Sequence, residues 1–162
     1  MADPRYDVEG YDVITSALIG LLNEFPGLPT GGKIKFGSLE ADGGITMFPT
    51  SGAVIEQEKN YIYGGVYQLC RYPFTVYYRV AGQSENRKVA VQEWLDLLGR
   101  WLEGQVITIG ATNYQLASYP AITGGRRFKD IRRQSPAYLE SIDENHIEDW
   151  VVSITARYEN EF

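Results

Sequence analysis

The stretch from residue 61 to residue 102 constrains the fold more than any other, because two different hydrophobic periods meet inside it. Val66, Cys70, Tyr72, Phe74, Val76, Tyr78 and Val80 occupy even positions, with Arg71, Thr75 and Arg79 between them. A period of two is the pattern of a strand with one buried face. The period then changes: Val91, Trp94, Leu95, Leu98, Trp101 and Leu102 recur at three- and four-residue spacing, the stripe of an amphipathic helix. Ser84 offers an N-cap hydroxyl ahead of this stripe, and Gly104 suits the left-handed position behind it. Such a unit reads as scaffold and contact surface, so function is to be sought in assembly.

The flanking sequence extends the same reading. Tyr11, Ile14, Leu18, Leu21 and Phe25 form a second helical stripe; Asp7, Glu9 and Asp12 crowd its start, where the helix dipole favours negative charge, and Pro26 and Gly27 are expected to end it. Strands are expected at Lys33–Phe36, around Ile45, Met47 and Phe48 after the Gly43–Gly44 turn, and at 53–59. Gly64 and Gly65 suit a hairpin turn or a bulge, and Pro73, which cannot donate to a ladder, points to an edge or a local irregularity. Weaker strand patterns cover Val106–Ile109 and Tyr114–Ile122. The clearest comes last: Trp150, Val152, Ile154, Ala156 and Tyr158 alternate with Ser153, Thr155 and Arg157. Helix, strands, helix, strands is the order of an α+β domain, with a mainly antiparallel sheet and two amphipathic helices packed on one face.

At 162 residues and 44% hydrophobic content, the chain fits a single domain spanning 1–162 with a sizeable core. Its single cysteine, Cys70, rules out an internal disulfide framework and suits a reducing compartment. No secretion signal or membrane-length apolar run is visible, so a soluble protein made in a cytoplasm is expected. The net charge of −6 is unevenly spread: −5 over residues 1–60, +1 over 61–125, +4 over 126–135 and −6 over 136–162. An acidic chain lacks the broad basic face that phosphate binding requires.

Few residues offer chemistry. His146, the only histidine, lies among Asp143, Glu144, Glu148 and Asp149, and one imidazole falls short of a metal-ligand set; a solvated acidic turn is the better reading. Cys70 falls on the apolar face of its strand, where a buried, inert thiol is expected. No serine sits in a nucleophile elbow, and the glycine pairs lack the spacing of a phosphate loop. No catalytic, metal or cofactor-binding residue is therefore assigned, and no enzyme activity is expected. Tyr61, Tyr63, Tyr67, Tyr72, Tyr77 and Tyr78 suit either a base-stacking platform or core and interface positions, and the acidic balance favours the second. The sharpest local anomaly is Arg126, Arg127, Phe128, Lys129, Asp130, Ile131, Arg132, Arg133. Bracketed by Gly124, Gly125 and Pro136, it is expected to form a projecting loop or hairpin over 123–136. Arg126, Arg127, Phe128, Lys129, Arg132 and Arg133 are the candidate partner contacts.

The run Tyr61, Ile62, Tyr63, Gly64, Gly65 through Phe74, Tyr77, Tyr78 and Arg79, then Arg87, Leu95, Leu98, Trp101 and Leu102, resembles the minor capsid proteins of tailed bacteriophages of Gram-positive hosts. Gln134 to Leu139 and the closing Trp150 to Tyr158 strand are also similar to that family. The resemblance implies a tail terminator: an α+β subunit of a hexameric ring that caps the tail tube and joins it to the head connector. The partners it implies are further copies of the chain, the tail tube protein, the connector or stopper and, in contractile tails, the sheath. Its location would be the virion tail or neck, after assembly in the host cytoplasm. A head-side stopper or adaptor, and a nucleic-acid-binding module built on residues 126–133, are the alternatives. Membrane association and direct nucleic-acid binding are not expected.

Overall fold

The computed structural model describes residues 4–41, 43–82 and 85–162, without the side chains of residues 85 and 86. The expected Ser84 cap lies outside them. Two long strands form the spine: β4 (Val66–Ala81) and β9 (Ile147–Glu161) pair antiparallel from Tyr67 opposite Glu161 to Ala81 opposite Ile147. Both flanks of this ribbon are occupied by broken strands. Along β4, β2 (Gly44–Pro49) pairs with Phe74–Arg79 and β3 (Val54–Asn60) with Val66–Arg71. Along β9, β7 (Arg126–Arg133) and β8 (Tyr138–Ile142) divide the edge in the same way. The short β1 (Ile34–Phe36) adds to β2 in parallel, and β5 (Ile107–Ile109) with β6 (Thr112–Tyr114) forms a separate small hairpin.

Pro73 explains one of the breaks. Its carbonyl accepts from Thr50 N at 2.9 Å, just beyond the end of β2. In a strand the N–H and C=O of one residue point to the same side, so the missing proline donor faces the gap between β2 and β3. The proline therefore marks an irregularity, inside a strand that is paired on both sides.

Helices α1 (Tyr11–Leu22) and α2 (Glu85–Leu102) close one face of the sheet. The even-numbered Cys70, Tyr72, Phe74 and Val76 of β4 and Val152, Ile154, Ala156 and Tyr158 of β9 share one buried cluster with Ile14, Leu18 and Leu22 of α1 and Leu95, Leu98, Trp101 and Leu102 of α2. Each such aliphatic or aromatic side chain contributes about 1.5–3 kcal/mol when taken out of water. The mainly antiparallel α+β architecture with both helices on one face is thus the observed one.

The helix ends differ in how readable they are. At the C-terminus of α2, Gly104 has φ +83°, its N–H meets Trp101 O and Gln105 N meets Arg100 O, the Schellman pattern expected of that glycine. Helix α1 instead stops at Leu22, four residues before Pro26. Asn23 terminates it: its Nδ2 donates to Ile19 O and Ile34 O, and its Oδ1 accepts from Ile34 N at 2.8 Å, fastening the helix end to β1. Phe25, beyond the helix, is buried against Trp94 and Trp101.

Two expectations are corrected. Residues 126–133 do not form a projecting arm; they are strand β7, in register with Ile154–Asn160 of β9. Residues 114–122 are not a strand beyond the end of β6; the segment is irregular and turns Leu116, Tyr119 and Ile122 against the core. Tyr119 Oη donates to Leu102 O at 2.7 Å, satisfying a carbonyl in the last turn of α2.

Candidate functional site

The cations of β7 are largely engaged within the subunit. Arg126 makes a bidentate pair with the buried Asp7, Nε to Oδ2 at 2.9 Å and Nη2 to Oδ1 at 2.8 Å. Tyr158 Oη donates to the same Asp7 at 2.6 Å. Burial works to raise the Asp7 pKa, but these hydrogen bonds and the Arg126 charge outweigh it and hold the carboxyl below its usual range. The same surroundings push the Tyr158 phenol well above its ordinary value, burial first and the Asp7 bond second.

Further along β7, Arg127 Nε donates to Glu159 at 2.7 Å. Arg133 lies between Glu103 at 3.1 Å and Asp96 at 3.7 Å, and its backbone N–H is taken by Glu103. Asp130 accepts two bonds from Arg157, at 2.9 and 2.6 Å, and lies 3.9 Å from the exposed Arg132. Phe128 packs against Tyr119. Of the expected contact residues, Arg127, Lys129 and Arg132 face solvent, whereas Arg126 and Arg133 fasten β7 to the N-terminal segment and to α2.

The tyrosines are not brought together into a platform. Tyr72 is fully buried, stacks on Tyr11 at 5.5 Å and shares a 2.7 Å bond with Thr15; Tyr78 meets Trp94 edge-on. Tyr77 and Tyr67 lie on the opposite face, and Tyr61 and Tyr63 stack at the tip of the β3–β4 hairpin. His146 sits in the β8–β9 turn at φ +60°, where the Asp143 carboxylate accepts from Asn145 N and Ile147 N. Among the described residues no group of three or more His, Cys, Asp or Glu could hold a metal ion. Cys70 is inaccessible, and burial above all pushes its thiol up to about 11.

Two surfaces stand out once the fold is drawn. The first is the helix-free face of the sheet. Cross-strand neighbours share a face, which sets Thr46, Tyr77, Val151 and Tyr138 in one row and Phe48, Thr75 and Ser153 in the next. Phe48 meets Tyr77 edge-on at 5.3 Å, and the buried Thr46 Oγ1 has no hydrogen-bond partner. Charge lies around this band and is mostly paired: Arg79 with Asp149 at one end, Arg157 with Asp130 and Arg127 with Glu159 at the other, while the exposed Glu140 accepts from the Tyr77 hydroxyl at 3.3 Å. The second surface lies at one end of the sheet, on the side that carries the helices. There the N-terminal segment crosses from β3, through Asp7 N to Ala53 O and Ile55 N to Arg5 O, to Arg126 of β7. It borders a cleft of about 580 Å³ with Gln68, Asn160 and Phe162 among its lining residues.

No family model matches this chain, and no curated protein is detectably similar to it in sequence.

Sequence reading found the apolar half of this arrangement and missed the polar half. Asp7 looked like a helix-dipole charge, whereas its partners lie 119 and 151 residues away. One signal was available. Gly99 stands inside α2, at the start of its last turn, where glycine is still unfavourable, and a Cβ there would lie 2.2 Å from Arg133 Cδ. Its presence marks the seat of an arginine from β7.

Proposed function

We propose that this chain is a structural subunit of a phage or phage-tail-like particle: a tail terminator that forms a ring, six-fold in the related family, at the end of the tail tube. A ring that caps a tube needs copy-to-copy contacts and ring-to-tube contacts. The observation that carries the reading is the division of the sheet. One face is closed by both helices; the other offers an aromatic and hydroxyl centre flanked by ion pairs neutralised within the subunit. Depletion of charge at the centre with aromatic enrichment and a polar rim is the anatomy of a protein interface. A nucleic-acid surface would instead carry uncompensated cations, and those of β7 are mostly paired. The sequence resemblance supplies the kind of particle.

Electron microscopy of the purified chain, alone and mixed with the tail tube protein, tests this. Closed rings that seat on tube ends are expected. A strict monomer in both conditions, or a location in the particle away from the tail end, overturns it.

A further inference from the structure

The margins of the sheet share one construction. Four strands form them: β1 beside β2, β3 beside β4, and β7 and β8 beside β9. An edge strand presents unpaired backbone groups, to which a strand of another copy can add. Three of these four strands carry a bulge. The register skips Glu56 in β3, Lys129 in β7 and Glu140 in β8. All three skipped residues are charged and exposed. A bulge bends its strand and breaks the run of ladder hydrogen bonds. A charge at the margin would in addition have to leave water for any strand laid against it.

The subunit also takes up backbone groups at these margins with its own residues. On β1, Asn23 holds both the N–H and the C=O of Ile34. Beside β3, Ile55 N donates to Arg5 O, and Ala53 O accepts from Asp7 N. On β7, Glu103 accepts from Arg133 N at 3.0 Å. Ala137, next to β8, donates its N–H to Asp96 and accepts from Gln92. Strand β8 itself presents apolar surface, with Tyr138 44% and Ile142 49% exposed. Glu140 is the one charged residue among the nine from Gln134 to Ile142. Without it, Ala137–Ile142 would be an uncharged run of strand-forming residues, the kind that pairs between chains.

We propose that Glu140 guards the β8 margin against strand addition by a second copy, with Glu56 and Lys129 guarding β3 and β7 in the same way. Copies of the chain then meet through surfaces other than the sheet margins. The inference goes beyond the ring reading and does not depend on it, because it concerns the contacts that the free subunit avoids. It also gives Lys129 a place: the cation stands at the skipped position of a bulge, where a charge keeps strands apart without needing a partner. At β7 four arginines repeat that protection, whereas at β8 it rests on Glu140 alone. The margin of β8 is therefore where removal of one charge has the largest effect.

The test compares full-length variants with wild type at equal concentrations, in whatever assembly state wild type takes. Glu140→Val and the more soluble Glu140→Thr remove the charge and favour the strand; the site is exposed, so melting temperatures near wild type are expected. Sedimentation velocity should show both variants shifting, as concentration rises, to species larger than any that wild type forms. In those species, hydrogen exchange should slow over residues 138–142 and stay unchanged over α2. Two controls separate the charge from its neighbour. Glu140→Lys keeps a charge at the margin, and Tyr77→Phe removes only the hydroxyl that donates to Glu140; both are expected to sediment as wild type. Uncharged variants that sediment as wild type overturn the proposal. So does association without slowed exchange at 138–142, or a Glu140→Lys or Tyr77→Phe chain that associates as Glu140→Val does. A wild-type chain that never forms rings overturns the ring reading and leaves this comparison intact.

Discussion

Asp7, Arg126 and Tyr158 are three residues from distant parts of the chain held in one buried knot. Asp7 accepts from Arg126 twice, from Tyr158 and from Gly10 N, so each of its oxygens receives two bonds. Asp7→Ala leaves a mostly buried guanidinium without its anion, and breaking such a pair costs about 3–5 kcal/mol. Chemical denaturation should show that loss, and an unchanged midpoint would mean that the N-terminal segment is not held by this pair. Gly99 offers a second test. Gly99→Ala gains up to about 1 kcal/mol of helix propensity but forces Arg133 away from Glu103 and Asp96, with about 1–3 kcal/mol lost to overpacking. A lower melting temperature is expected, where an exposed helix glycine would give a higher one.

At the scale of elements, α2 is the larger structural investment. Trp101 packs against Phe25 and is almost wholly buried; Trp101→Ala is expected to cost about 3–5 kcal/mol, read as a fall in thermal midpoint. Trp94 is half-buried and donates its Nε1 to Gly27 O at 2.7 Å, fastening the connector after α1. The hydrophobic periods made β4, α2 and β9 legible, because one buried face leaves its imprint in the residues that form it. Strand β7 was not legible for the opposite reason. Five cations in eight residues look solvated, yet the alternation survives beneath them. Phe128 and Ile131 turn toward the core, while the neutralising acids Asp7, Glu159 and Glu103 come from other elements. The end of α1 was hidden in the same way, since Asn23 acts through a strand eleven residues later. Periodicity records what a residue is buried against in bulk and does not name the polar partner that fixes it. The uncharged band on the helix-free face was legible only as a surplus of aromatics, because its placement depends on strand register.

The whole molecule carries proton-linked stability at both ends of the pH scale. The hydrogen bond from Arg157 holds Asp130 below its usual value, and that from Arg127 does the same for Glu159; Asp7 is lowered as well. Carboxyls depressed in the folded state contribute stability that is present above the unfolded values of 3.8 and 4.5 and is lost as pH falls through the folded ones. At the alkaline end, burial raises Cys70 from 9.0 to about 11 and lifts Tyr158 and Tyr72 above 10.0. Groups raised in this way contribute stability that is complete below their unfolded values and lost as pH rises through the folded ones. Denaturation midpoints should therefore fall below about pH 4 and again above about pH 9, following those carboxyl, thiol and phenol values. A midpoint that stays flat from neutrality to pH 11 would show that these phenols and the thiol are not buried in solution.

The helix-free face is tested by a single substitution at its centre. Thr75 lies at its centre, half-exposed, opposite Phe48 on β2 and Ser153 on β9, with only a 3.5 Å contact to Thr50. An arginine at this position can lay its stem along the sheet and keep its charged head in water, so the subunit is expected to fold with little change in melting temperature. In an assembly that covers the face, the same head is buried where the flanking acids are already paired to Arg79, Arg157 and Arg127 and Glu140 is taken by the Tyr77 hydroxyl. Thr75→Arg is therefore expected to abolish ring closure or seating on the tube while leaving the isolated subunit intact. Negative-stain images report the first and co-sedimentation with tail tube protein the second. A variant that forms rings and binds tubes as wild type does would show that this face stays in water.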